Sequence, residues 1–280
     1  MMRALYSGVS GLKNHQTRLD VIGNNIANVN TVGFKSSRVV FQDLYSQTIG
    51  SGSGANGTTM GGENSNQVGL GSSLSAIDIQ HTRGATQYTG APLDLAVEGD
   101  GFFILNANGS EFYTRAGNFS LDNEYNMVSA EGYFVQGYSL ADPPTTPPSI
   151  DYTTMGNVKL SADYYDIAVD QSGAIWGLDV TTNEKVQIGQ LQLAVFSNPS
   201  GLDKVGGTMY SSGANSGLPT YANPGQDGSG LLSVNALEMS NVDLAQEFTE
   251  MIVTQRGFQA CSRIITTTDQ ILEELVNMKR

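Results

Sequence analysis

Apolar residues near the start of the chain recur at alternating steps of three and four. Met2, Leu5, Val9, Leu12, Leu19 and Ile26 share one line with the polar or small Gln16 and Gly23. That spacing predicts an amphipathic helix with a heptad seam, interrupted at Gln16. Roughly 26 residues at 1.5 Å each make a helix of about 39 Å. The far end repeats the pattern through Leu244, Phe248, Met251, Gln255, Phe258, Ser262, Ile265, Leu272 and Val276. Ser240 followed by Asp243 resembles a capping box that uses aspartate, and no proline occurs from there to Lys279. One long helix is expected over that stretch.

Between the helices the period changes from helical to strand-like. Residues 93–105 (LDLAVEGDGFFIL) form two apolar runs around the turn signal Gly99-Asp100-Gly101. Residues 112–138 alternate aromatics with turn residues, and Leu191, Leu193 and Val195 alternate within 188–196. FSLDNEYNMV and IAVDQSGAIW echo each other as strand end, Asp, turn and strand. Such short strands predict an antiparallel β domain. Two stretches look like linkers: residues 48–75, with no aromatic and the single charge Glu63, and the proline-rich 141–149. The expected fold class is therefore α+β. Long terminal helices pair as a coiled coil around a central antiparallel domain. The divisions are 1–31 (first helix), 32–75 (extended, glycine-rich connection), 76–235 (β domain) and 236–280 (last helix).

Composition sharpens this picture. Glycine supplies 33 of 280 residues, well above the usual ~7%. Gly8, Gly11 and Gly23 inside the first helix together cost roughly 3 kcal/mol relative to alanine, so that helix needs partners and lets them approach closely. A net charge of −13 argues against nucleic acid or an anionic membrane as partner. The charge is unevenly placed. Residues 1–38 carry five basic side chains against one acidic, residues 238–280 four against seven, and the middle is strongly acidic. The oppositely charged ends suit pairing with one another. No run approaches 18 consecutive apolar residues, and the first twelve residues do not read as a standard signal peptide.

Candidate chemistry is weak throughout. Gly52-x-Gly54-x-x-Gly57 has the spacing of a dinucleotide loop but lies among Ser, Gly and Asn. Asp122-x-Glu124-x-Asn126 begins like a calcium loop, yet Met127 and Tyr133 occupy the places of its glycine and closing glutamate. Asp94, Glu98 and Asp100 read as polar positions flanking a hairpin rather than as paired catalytic carboxylates. His15, His81 and the single Cys261 have no second metal ligand nearby in sequence. The expectation is no enzyme activity, no cofactor and no metal site.

The apolar positions outside the seams (Ile22, Val29, Ile252, Ile264, Ile271, Leu275) ask for more neighbours than one helix hairpin supplies. A non-closing contact between identical subunits would supply them and build a filament. An ordinary domain closed by a terminal helix pair, or an adhesive protein whose β domain grips a ligand, are the competing explanations.

At this point a resemblance becomes specific. LDVIGNNIANVNTVGFK, AVEGDGFFIL, YTRAGNFSLD, GQLQLAVFSNPSGL and SNVDLAQEFTEMIVTQRGFQACSRIITTTDQILEEL occur in this order. Together they resemble the flagellar rod and hook axial proteins, most of all the short hook proteins of Gram-positive bacteria, with the distal rod protein next. The resemblance implies paired terminal helices forming an inner tube, and a β domain forming an outer layer. Asn24, Asn25, Asn28, Asn30, Gly33 and Phe34 would mark the corner between them. It implies locking of subunits through Leu5, Val9, Leu12, Leu19 and Ile26 with Phe248, Met251, Phe258, Ile265 and Leu272. The implied partners are further copies of the chain, adjacent rod and hook–filament junction proteins, the hook cap and the flagellar export apparatus. The implied location is the extracellular flagellum, and the implied role a flexible torque-transmitting joint or, alternatively, a rigid rod.

Overall fold

The computed structural model describes residues 2–52, 54, 62–107, 109–140, 150, 152, 155–180 and 182–278. The chain divides into two units. One comprises residues 1–27, 37–79 and 243–280, the other 28–36 and 80–242. Residues 141–149, read as an extended linker, and Gly57 of the glycine motif lie outside the described residues.

The first unit is built on α1 (Met2–Ala27) and α2 (Leu244–Met278). α1 stops at Ala27, and a turn in which the Thr31 N–H donates to the Asn28 carbonyl (3.2 Å) follows directly. α2 starts later than the Ser240 signal suggests. Its cap is Asp243, whose Oδ1 accepts from the backbone of Ala245 (2.8 Å) and Gln246 (3.4 Å). Ser240 instead accepts from the Val242 N–H, so the capping box does not form.

The expected connection at 32–75 is not simply extended. β1 (Ser37–Asp43) pairs antiparallel with β4 (Ser72–Ile79), and β2 (Ser46–Gly50) with β3 (Asn66–Gly69). Ser, Thr and Gln at these positions lack the apolar alternation that flags a strand, because both faces of β2 and β3 are largely exposed. The glycine motif follows β2, but the described residues after it lead into β3 rather than a helix, which removes the dinucleotide reading.

The second unit is antiparallel. Its main sheet runs through Tyr164–Val169, Ala174–Asp179, Lys185–Leu191, Phe134–Ser139, Phe102–Ala107, Ser110–Thr114, Met209–Ser211 and Asp203–Gly206 in that spatial order. Alternating apolar positions fill one core, with Leu95, Phe103, Leu105, Met127, Ile188 and Leu193 fully enclosed. The two echoing segments are both hairpins, Phe119–Leu121 with Met127–Ser129 and Tyr164–Val169 with Ala174–Asp179. In each turn an aspartate carboxylate accepts from the next N–H, Asp122 from Asn123 (2.7 Å) and Asp170 from Gln171 (2.8 Å). One sequence expectation changes here. Leu95–Glu98 and Phe102–Ala107 do not pair across Gly99-Asp100-Gly101. The first pairs with Leu231–Val234 and the second with Ser110–Thr114. A Gly-rich turn between apolar runs is equally compatible with a chain that leaves one sheet for another.

No helix among the described residues is long and apolar enough to cross a membrane.

Candidate functional site

In the first unit α1 and α2 pack against each other along their lengths. The helices run antiparallel, and their contacts form a ladder. A Cβ at Gly8 would stand 3.3 Å from Ile265, and one at Gly11 would stand 3.0 Å from the Cys261 sulfur. A Cβ at Gly257 would overlap the His15 ring at 2.6 Å. Arg18 pairs with Glu250 at 2.9 Å, and the Asn25 amide donates to Glu247 at 2.9 Å. Glycine at 11 and 257 is what permits this approach, since no other residue lacks the Cβ. Gly23 has nothing near it, so it contributes nothing to the close packing.

This ladder lies one residue N-terminal to the apolar line read from the sequence on both helices, except at Ile265, which belongs to that line and still meets Gly8. α1 meets α2 at Gly8, Gly11, His15, Arg18 and Asn25, and buries Gly8, Ile22 and Asn25. α2 answers with Glu247, Glu250, Gly257, Cys261 and Ile265, and buries Thr254 and Thr268. The contact within the chain therefore uses mainly small and polar groups, with Ile265 against Gly8 as the apolar exception. Leu5, Leu12, Leu19, Ile26, Met251, Phe258, Ile265 and Leu272 are only half-buried, while Val9 and Phe248 are 42% and 49% exposed. Hydrophobic periodicity finds the greasiest line, and close antiparallel packing selects the line with the smallest side chains. Ile252, Val253, Ile264, Ile271, Leu275 and Val276 are exposed as well. Much apolar area on α2 is thus left uncovered within this chain.

Ionisable groups between the helices are tuned by this packing. Burial, then the nearby Arg18, pushes His15 below the usual imidazole range. Burial raises Glu247, opposed by its bond from Asn25, while the Arg18 hydrogen bond lowers Glu250. A recess of about 420 Å³ lined by Ser7, Gly11, His15, Gly71, Ser72 and Cys261 lies beside them.

Asparagines of the corner motif differ in burial. Asn25 is 2% exposed; its Oδ1 accepts from the Ser37 N–H (3.0 Å) and its Nδ2 donates to the Ser37 carbonyl (2.9 Å). One side chain thus ties the end of α1 to the start of β1 and, through Glu247, to the start of α2. Asn28 accepts from the Thr31 hydroxyl at 3.1 Å. Asn24 and Asn30 are exposed.

Further along the same motif, Lys35 enters a charge cluster in the second unit. Its Nζ lies 2.6 Å from Glu238 and donates to the Thr82 carbonyl at 2.7 Å; both side chains are fully buried. Arg115 approaches the other carboxylate oxygen at 3.5 Å and stacks over the Phe102 ring, 5.0 Å from its centre. The Gly84 N–H also donates to Glu238 (2.9 Å), and the Gly33 N–H donates to the Glu238 carbonyl (2.8 Å). Burial presses the Lys35 and Arg115 pKa values down, and the Glu238 carboxylate opposes the shift in each. Asn241 completes the bundle, accepting from the Ser36 N–H (2.8 Å) and donating to the Gln80 carbonyl (2.8 Å). Phe34 takes the Lys204 ammonium over its ring at 4.8 Å. Sequence reading counted Lys35, Arg115 and Glu238 as charges and missed that they converge.

Gly33 has φ +69°, and a Cβ there would stand 2.6 Å from the Ala116 nitrogen. Gly33→Ala is expected to destabilise the second unit by about 2 kcal/mol or more, read from its urea midpoint.

His81 packs edge-on to Phe102 and Tyr210, with ring centres 5.5 and 5.4 Å apart. Burial, then the neighbouring Lys35, Arg115 and Lys204, lowers its pKa to about 4, and only a weak backbone contact at Pro199 acts the other way. A folded pKa below the unfolded ~6.5 means this contribution is complete above pH 6.5 and is lost as pH falls towards 4. His81→Phe should therefore lose less stability than the parent over that window in urea titrations at stepped pH.

The remaining candidates have structural partners. Asp94 accepts from the Thr89 hydroxyl at 2.6 Å, and Glu98 pairs with Arg83 at 2.8 Å, so these carboxylates do not converge. Met127 of the calcium-like segment is a fully buried core residue. Among the described residues, no group of three or more His, Cys, Asp or Glu could hold a metal ion.

Three stretches match known families. Residues 5–35 match one described as "Flagella basal body rod protein", residues 96–177 "Flagellar hook protein FlgE/F/G D1 domain", and residues 234–278 "Flagellar basal body rod FlgEFG protein C-terminal". The flagellar basal-body rod protein FlgG of Bacillus subtilis is 50% identical over 281 positions, covering all of both chains. FlgG of Caulobacter vibrioides is 37% identical over 276 positions, covering 97% of each. The flagellar hook protein FlgE of Borreliella burgdorferi is 31% identical, also covering all of both chains, but over an alignment of 443 positions. These relatives are structural proteins, not enzymes.

Proposed function

Because this chain belongs to the family of flagellar rod and hook proteins, we propose that it is a distal rod subunit, which polymerises into the rigid drive shaft of the basal body. The observation carrying the choice is length. The chain and the Bacillus FlgG cover each other end to end, whereas an alignment of 443 positions to a hook protein must contain long stretches with no counterpart among 280 residues. The hook reading favoured by the sequence motifs thus yields to its alternative.

In this reading α1 and α2 pair as a coiled coil, supported by the three-and-four spacing of their contact ladder. Copies lock through the apolar lines flanking that ladder: Leu5, Val9, Leu12, Leu19 and Ile26 on α1, and Phe248, Met251, Phe258, Ile265 and Leu272 on α2. Full covering of each such side chain contributes about 1.5 to 3 kcal/mol. Within the motif, Asn25 fixes the end of α1 inside the helical unit, and Gly33 and Lys35 fix the motif's other end inside the β unit. Further copies, adjacent rod and hook proteins and the flagellar export apparatus are the partners, and the assembled product stands outside the cytoplasm.

Electron microscopy of basal bodies from cells lacking this chain tests the assignment. A truncated rod is expected. A complete rod that stops where the hook should begin would make this the hook subunit, and an intact rod, hook and filament would favour an adhesive role.

A further inference from the structure

α2 carries two apolar stripes, one on each side of its contact with α1. Phe248, Met251, Phe258, Ile265, Leu272 and Val276 form the first. Val253, Ile264, Ile271 and Leu275 form the second. At 100° per residue the stripes lie roughly 130° apart, so a helix pair presents two different sides to two different neighbours. That is the arrangement a heterologous, non-closing contact requires.

Charges at the outer edges of the stripes are of opposite sign. Asp269 and Glu273 border the first stripe, and Arg256 and Arg263 border the second; all four are exposed. Among the described residues none of the four joins an ion pair within the chain, and Arg256 reaches only Gln259 of its own helix at 3.4 Å. Both charged edges lie on the side of α2 turned away from α1, so laying the first stripe of one copy against the second stripe of the next brings them together.

We propose that adjacent copies pack α2 against α2 in parallel, first stripe on second, with Arg263 of one copy facing Glu273 of the next and Arg256 facing Asp269. The two pairings require offsets of 10 and 13 residues, roughly 15 to 20 Å along the axis, and differ by less than one helical turn. One register therefore satisfies both pairs within the reach of an arginine side chain. The charges select direction and offset while the apolar stripes supply the adhesion. This rests on the polymer reading above and specifies the contact that builds it.

Charge exchange in cells lacking the native chain tests the register. Arg256→Glu with Arg263→Glu is expected to abolish rod assembly in electron micrographs, and so is Asp269→Arg with Glu273→Arg. All four changes together should restore more than half of the normal number of rods. Purified variants should keep parental helix content by circular dichroism, which separates failed assembly from failed folding. Normal assembly of either reversed pair, or no recovery in the fourfold exchange, would overturn the pairing. Phe258→Asp run in parallel distinguishes the two levels. If it blocks assembly while the charge reversals do not, only the register fails; if it too assembles normally, the polymer reading fails with it.

Discussion

Glu238→Gln is expected to lower the stability of the β unit by about 3 to 5 kcal/mol, read from the urea midpoint of the purified chain. The carboxylate is fully buried and is the shared partner of Lys35 and Arg115, so neutralising it leaves two enclosed cations facing each other. An uncompensated buried charge costs several kcal/mol because hydration cannot be recovered in the interior. Asp100 also acts favourably on Arg115, but His81 stays neutral there and Lys204 adds a further positive charge. Lys35→Met should cost clearly less, because Glu238 still holds Arg115. Equal losses for the two variants would show that the ion network matters only as packing.

The parts of the fold that could be read in the sequence are those with strong periodicity. Both helices and the antiparallel character of the centre follow from spacing alone, since period 3.5 and period 2 patterns leave few alternatives. β2 and β3 stayed hidden because Ser, Thr, Gln and Gly on two exposed faces leave no alternation to detect. The Lys35–Glu238–Arg115 cluster was invisible for a different reason. Its members stand up to 203 positions apart, and only the folded β unit brings them together. Each does, however, lie in or next to one of the matching motifs: GFK, YTRAGNF and the residues before SNVDL. The helix contact was misplaced by one residue because glycine, threonine and cysteine carry no apolar signal, although they are what allows backbones to approach.

Phe258→Asp is expected to abolish polymerisation entirely while leaving the β unit folded. Phe258 is half-buried, on the flank of the α1 contact, so a charge there is tolerated in the free chain. In a polymer the same position would be covered by a neighbour, and an unpaired carboxylate would have to be desolvated at every subunit. The effect repeats along the assembly, which turns a moderate cost per contact into complete failure. Sedimentation of the purified variant should show monomer at every concentration where the parent pellets, with an unchanged urea midpoint for the β unit.

Hydroxyl-radical footprinting of free chain against assembled polymer addresses the central claim, that copies cover the apolar lines flanking the helix contact. Phe248, Met251 and Phe258 should be labelled readily in the free chain and at least fivefold less in the polymer, while the buried core residue Phe103 stays unlabelled in both. Equal labelling of Phe248 and Met251 in the two states would contradict the account, because the polymer would then be held together by some other surface.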